Sequence, residues 1–141
     1  GTCHCSPDQI RRYQQRLSGP FLDRIDIRLQ VSRTEVRLGS DGKGESSAVV
    51  AGRVLAAREL QLRRCGAINA GLGAVETRRS CMPDKEGCLV LESAAEKFRL
   101  SRRACDSVLR VARTIADLAR AATVTKTHVA EALNLRLAFF R

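Results

Sequence analysis

The sequence predicts a mainly α-helical fold, a bundle of four helices preceded by a short helix and a strand that read as the end of something larger. Three observations carry that prediction. Beyond Pro83, apolar residues recur at intervals of three and four to the end of the chain, the spacing of one helix face. A single segment, 25–31, alternates strictly: Ile25, Ile27, Leu29 and Val31 are separated by Asp26, Arg28 and Gln30. Aromatic residues make up only 4% of the chain and Trp is absent, so the core has to be aliphatic.

Residues 6–17 carry the signals of a helix start. Ser6 stands at the N-cap, Pro7 at the first helical position and Asp8 beside the positive end of the dipole, with Ile10, Tyr13 and Leu17 on one face. Gly19-Pro20 stops it, and the 25–31 strand follows. A lone strand cannot satisfy its ladder hydrogen bonds, so it is expected to pair either with residues 35–38 or with strands outside this sequence. The Gly39-Ser-Asp-Gly-Lys-Gly44 stretch reads as a loop. It is not a phosphate-binding P-loop, because Lys43 is followed by Gly44 where Ser or Thr is needed.

Residues 46–65 predict a long helix with Val50, Val54, Ala57 and Leu60 inside and Gly66 as its C-terminal cap. Ile68 to Leu72 is weakly patterned, and a basic pair, Arg78-Arg79, follows. Three helices close the sequence. The first spans about 84–98 with Leu89, Leu91, Ala95 and Phe98 inward. The second spans 101–121, capped by Ser101, with Ala104, Val108, Val111, Ile115 and Leu118 inward. Arg102, Arg103, Arg110 and Arg113 take its other faces, supported by Asp106–Arg110 and Arg113–Asp117 pairs one turn apart. The third, 126–138, packs through Val129, Leu133 and Leu137.

At 141 residues the chain is one domain, or one domain plus a piece of another, and long enough to bury its own core without a metal or a disulfide. The formal charge is +10. Lys occurs only at 43, 85, 97 and 126, so the other 21 basic residues are Arg, whose planar fork matches phosphate oxygens. Anionic partners are favoured: nucleotide phosphates, nucleic acid or an acidic protein face. Of the six cysteines, Cys65 and Cys105 fall in helical patterns and Cys88 in an apolar run, which argues against a disulfide scaffold and for a reduced, cytoplasmic protein. No stretch reaches the ~18 apolar residues of a membrane span, and no signal peptide is visible. Gly1 stands where a Met would begin a chain, which points to a processed sequence with an upstream part missing.

Ser18-Gly-Pro-Phe-Leu-Asp-Arg-Ile-Asp-Ile27, Asn69-Ala-Gly-Leu72, Leu100-Ser-Arg-Arg-Ala104 and Arg110-Val-Ala-Arg-Thr-Ile-Ala-Asp-Leu118 are the segments that carry a family resemblance. Together they resemble the C-terminal portion of the magnesium chelatase-like competence proteins, bacterial AAA+ ATPases. The resemblance implies that residues 1–38 end an AAA+ ATPase core and that 39–82 form a linker loop and a long helix. Residues 83–141 would be the helical lid, so the bundle is of the lid type.

The family resemblance also implies roles. Arg24 corresponds to the arginine finger, which reaches into a neighbouring subunit's nucleotide, with Asp23 and Asp26 holding its side chain or bracing the adjacent backbone. Arg103 corresponds to the sensor-2 arginine at the start of the lid's long helix. The cofactors implied are ATP and Mg²⁺ in the full-length protein and none in this segment, whose sequence lacks Walker A and Walker B motifs. The partners implied are further copies of the chain in a hexameric ring, and DNA. Cys3-His4-Cys5 resembles half of a four-thiolate zinc site that the family often carries, and Cys3 and Cys5 are the metal ligands it implies. From the residues alone a different class stays open, a small basic helical DNA-binding module with no nucleotide role.

Overall fold

A computed structural model describes residues 4–16, 18–29, 31 and 44–137. Among them the chain is helical: α1 (Pro7–Gln15), α2 (Gly19–Asp23), α3 (Ser47–Cys65), a 3₁₀ turn (Asn69–Gly71), α4 (Ala74–Ser80), α5 (Lys85–Phe98), α6 (Arg102–Leu118) and α7 (Lys126–Leu137). The mainly α fold is as expected. Leu17 and residues 32–43, with the expected Gly-rich loop, lie outside the described residues, as do Cys3 and the end of the last helix.

Local chemistry sets the helix limits. The hydroxyls of Ser46 and Ser101 and the carboxylate of Asp84 each accept a bond from the backbone N–H three residues on, at Val49, Ala104 and Gly87. Gly66 ends α3 at φ 68, the left-handed conformation that needs no Cβ. α5 ends in the same region on Arg99, at φ 49.

α6 and α7 are the centre of the molecule: α7 packs on α5, while α6 packs on α3, α4 and the 3₁₀ turn. The main core is Ala94, Val108, Ala112, Ala116, Val124, Val129, Ala132 and Leu133, whose alanines bring the helix backbones close together. A smaller cluster of Leu72, Cys81 and Leu109 lies under Cys65, Ala67 and Leu91. Asp84 N–H bonds to Val124 O at 2.8 Å and Pro83 bridges Val124, tying the entry of α5 to the approach of α7.

Several expectations are corrected. Segment 25–29 is irregular and not part of a strand, and no sheet exists among the described residues. Its backbone is held instead by helices: Arg28 N–H bonds to Leu135 O at 2.8 Å. The Gly19-Pro20 break opens a helix of its own, because Ser18 caps Phe21 N–H and proline suits a first turn. α4 falls where no helix was expected. The inward face of α5 runs through Gly87, Val90, Leu91 and Ala94, which leaves Leu89 57% and Phe98 46% exposed. In α3 the residues from Ser47 to Leu55, Val50 and Val54 included, are exposed, and the buried positions are Ala57 and Gln61. Leu118 is exposed too, because the buried stripe of α6 ends on Ala116 and Asp117.

Candidate functional site

Arg24 stands at the C-terminal cap of α2, with its backbone N–H on Phe21 O and Leu22 O. Its guanidinium is exposed and donates from Nη1 to Pro20 O at 2.9 Å. Among the described residues no carboxylate pairs with it.

The two flanking carboxylates serve another arginine. Asp23 Oδ1 lies 2.9 Å from Arg136 Nη2, and Asp23 Oδ2 accepts from the Ser101 hydroxyl at 3.0 Å. Asp26 Oδ1 accepts from the Ser107 hydroxyl and lies 4.0 Å from Arg136 Nη1. Of the two expected roles for Asp23 and Asp26, holding the Arg24 side chain or bracing the adjacent backbone, these contacts match the second: both carboxylates tie the backbone around Arg24 to α6 and α7.

Arg136 is the residue that sequence reasoning missed. It is 3% exposed, on the stripe Val129, Ala132, Leu133, Arg136 that α7 turns inward. An arginine at a position where the helix spacing demands an apolar side chain is the signal that could have found it.

Arg103 is exposed, two residues into α6 from its cap, beside the exposed Arg102. It shares with the Arg24 turn one intermediary, Ser101, which caps α6 and donates to Asp23. An open cleft of about 700 Å³ lies alongside, lined by Leu22, Asp23, Arg28, Phe98, Ser101 and Arg136 among others. Neither Arg24 nor Arg103 lines it, and both residues are exposed.

Behind this surface a buried polar network joins α3, the 3₁₀ turn and α6. Asn69, 1% exposed, donates from Nδ2 to Asp117 Oδ2 at 2.9 Å and to the Thr114 hydroxyl at 3.1 Å, while its backbone N–H bonds to Gln61 Oε1 at 3.0 Å. Asp117 Oδ1 accepts from Arg113 Nε at 3.0 Å and from Arg64 Nη2. Arg113 further donates to Ala121 O and Ala122 O, closing the C-terminal end of α6. The expected Arg113–Asp117 pair exists, but it is buried rather than on an outer face. Asp106 lies 3.9 Å from Arg78 of α4.

Cys5 is exposed. Among the described residues no group of three or more His, Cys, Asp or Glu side chains could hold a metal ion. Cys81 is fully enclosed in the smaller core cluster, and burial pushes its thiol up to about 11, with Arg64 and Arg113 pulling partly back. Its chemistry is that of a packed apolar side chain.

The fold is a helical domain that fastens an irregular, arginine-bearing segment to its own central helices. The chain belongs to the magnesium chelatase-like family: residues 44–136 match the family model "Magnesium chelatase, subunit ChlI C-terminal", and residues 1–38 match "Magnesium chelatase, subunit ChlI". Competence protein ComM of Haemophilus influenzae is 45% identical over 133 residues, which cover 93% of this chain and 26% of that protein. YifB of Escherichia coli K12 is 42% identical over 94% of this chain and 26% of its own length, and Mb2921c of Mycobacterium bovis 38% identical over 95% and 27%. The chain thus spans about a quarter of the length of these relatives. Among the described residues no helix is long and apolar enough to cross a membrane.

Proposed function

We propose that this chain is the arginine-finger segment and helical lid of a cytoplasmic AAA+ ATPase that assembles as a hexameric ring and works on DNA. Residues 1–38 end the ATPase core, 39–82 connect, and 83–141 form the lid. One observation carries the reading: Arg24 sits on a fastened turn with both neighbouring carboxylates engaged elsewhere, so its charge is left uncompensated on the surface. A guanidinium in that state suits the phosphoryl group of a nucleotide held by an adjacent subunit, where it offers parallel N–H donors to developing negative charge.

The residues present fit ATP only on its phosphate side. Arg24 and Arg103 are exposed cations suited to phosphate, and among the described residues no cluster of carboxylates suits Mg²⁺. ATP with Mg²⁺ supplies the transferable phosphoryl group and neutralises part of its charge. Within this chain, Arg24 stabilises charge on the neighbour's nucleotide. Arg103, in the first turn of a lid helix, reports whether nucleotide is present. DNA as the substrate is supported by the +10 charge and by the competence role that the Haemophilus relative's name states.

The test is Arg24→Ala in the full-length protein. ATP turnover is expected to fall about 10³-fold or more while nucleotide binding stays near wild type. Wild-type kcat in this variant removes the finger assignment.

A further inference from the structure

We infer that Arg136 is a positioning residue that fixes the Arg24 turn and, through Asp23 and Ser101, sets it against the helix carrying Arg103. The inference rests on the finger role proposed for Arg24.

Burying a guanidinium is costly unless its charge is paired and its donors are used. Arg136 meets both demands, chiefly with the segment around Arg24 and once with Ser107 of α6. Its Nη2 bonds to Asp23 Oδ1 at 2.9 Å and to Asp23 O at 3.1 Å, and its Nη1 bonds to Ile25 O and the Ser107 hydroxyl, each at 3.3 Å. Asp23 O and Ile25 O belong to the residues on either side of Arg24. The buried fork therefore grips the backbone before and after Arg24.

A second tie runs to α6. The Ser101 hydroxyl accepts from Ala104 N–H at 3.1 Å as the cap of α6 and donates to Asp23 Oδ2 at 3.0 Å. Displacing the N-terminus of α6, where Arg103 sits, has to pull on the residue next to Arg24. A third tie, Ser107 to Asp26, closes the turn on its other side. Lysine could supply the charge of Arg136 but not a planar fork able to reach a carboxylate and two carbonyls together.

The experiment measures steady-state ATP turnover of the full-length protein with Arg136→Met, Arg136→Lys, Ser101→Ala, Arg24→Ala, and Arg24→Ala combined with Arg136→Met. Arg136→Met is expected to lower kcat by about 10²-fold, the penalty of a catalytic group displaced by about 1 Å, with KM for ATP little changed. Arg136→Lys should recover part of that loss, and Ser101→Ala should lower kcat severalfold without raising KM. Because Arg136 acts through Arg24, the double variant should be no slower than Arg24→Ala alone. If the two losses multiply in the double variant, or KM rises in step with the fall in kcat, Arg136 is only structural and the proposal is overturned. If Arg136→Met does not fold, Arg136→Lys and Ser101→Ala decide, and wild-type kcat in both overturns it. Wild-type kcat in Arg24→Ala defeats the finger reading itself and this proposal with it. Loss in Arg24→Ala with wild-type kcat in a folded Arg136→Met defeats this proposal alone.

Discussion

Asp117 accepts bonds from Arg113, Arg64 and Asn69 while being 2% exposed, so its carboxylate is the partner on which a buried arginine depends. Asp117→Ala should cost about 3–5 kcal/mol, because Arg113 would remain enclosed without its counter-charge. Urea denaturation measures this, and a loss below about 1 kcal/mol would contradict the network's importance. Cys81 offers a pH test. Burial holds its thiol protonated to about 11 against an ordinary 9, so on raising the pH the unfolded thiol ionises first. Stability attributable to Cys81 is therefore complete below pH 9 and falls as pH rises towards 11. At pH 8 iodoacetamide should label the exposed Cys5 in the native protein and Cys81 only after denaturant; rapid native labelling of Cys81, read by mass spectrometry, would refute its enclosure. At this scale the sequence was half legible. The Arg113–Asp117 spacing predicts the pair but not its burial, since spacing along a helix says nothing about which helix lies opposite. Arg24 was visible as a residue between two aspartates, yet those aspartates reach residues 75 or more positions away, contacts that no local pattern encodes.

Helix starts were the most legible elements, because Ser46, Asp84 and Ser101 act on donors three residues away and need no tertiary partner. The faces of α3 and α5 were less so. Both carry apolar residues on more than one side, and packing against α6 and α7 selects small residues such as Ala57 and Ala94 over Val54 and Leu89. The 25–31 alternation was read as a strand because a period of 2 is the pattern of a strand with one buried face, yet the described residues 25–29 belong to no strand. Its fixing by Arg136 and Leu135 in place of a sheet lay beyond local sequence. Gly87 makes the packing at the start of α5 testable. A Cβ there would lie 2.6 Å from Pro83 Cβ and 3.4 Å from the backbone nitrogen of Lys126. Gly87→Ala should therefore destabilise the domain by about 1–3 kcal/mol despite its higher helix propensity. Thermal melting checks it, and an unchanged or raised Tm would contradict the close approach of α5 to the entry of α7.

For the molecule as a whole, the +10 charge does not gather on one element. Arg113 and Arg136 are buried, and exposed arginines are spread over α1, α3 and the start of α6. DNA recognition by a small helical module concentrates its cations and places one helix in the major groove. This chain by itself is accordingly expected to form no DNA complex that survives about 0.15 M salt. A gel shift showing tight binding with a steep salt dependence would favour the small basic DNA-binding module instead. The exposed Arg24 is better suited to an assembly in which one subunit completes the next. That claim is tested most directly by mixing two inactive full-length variants, Arg24→Ala and one whose own nucleotide site is disabled. If Arg24 serves a neighbour's nucleotide, mixed rings recover ATP turnover that neither variant shows alone; if the mixture stays as inactive as its parts, Arg24 does not act between subunits.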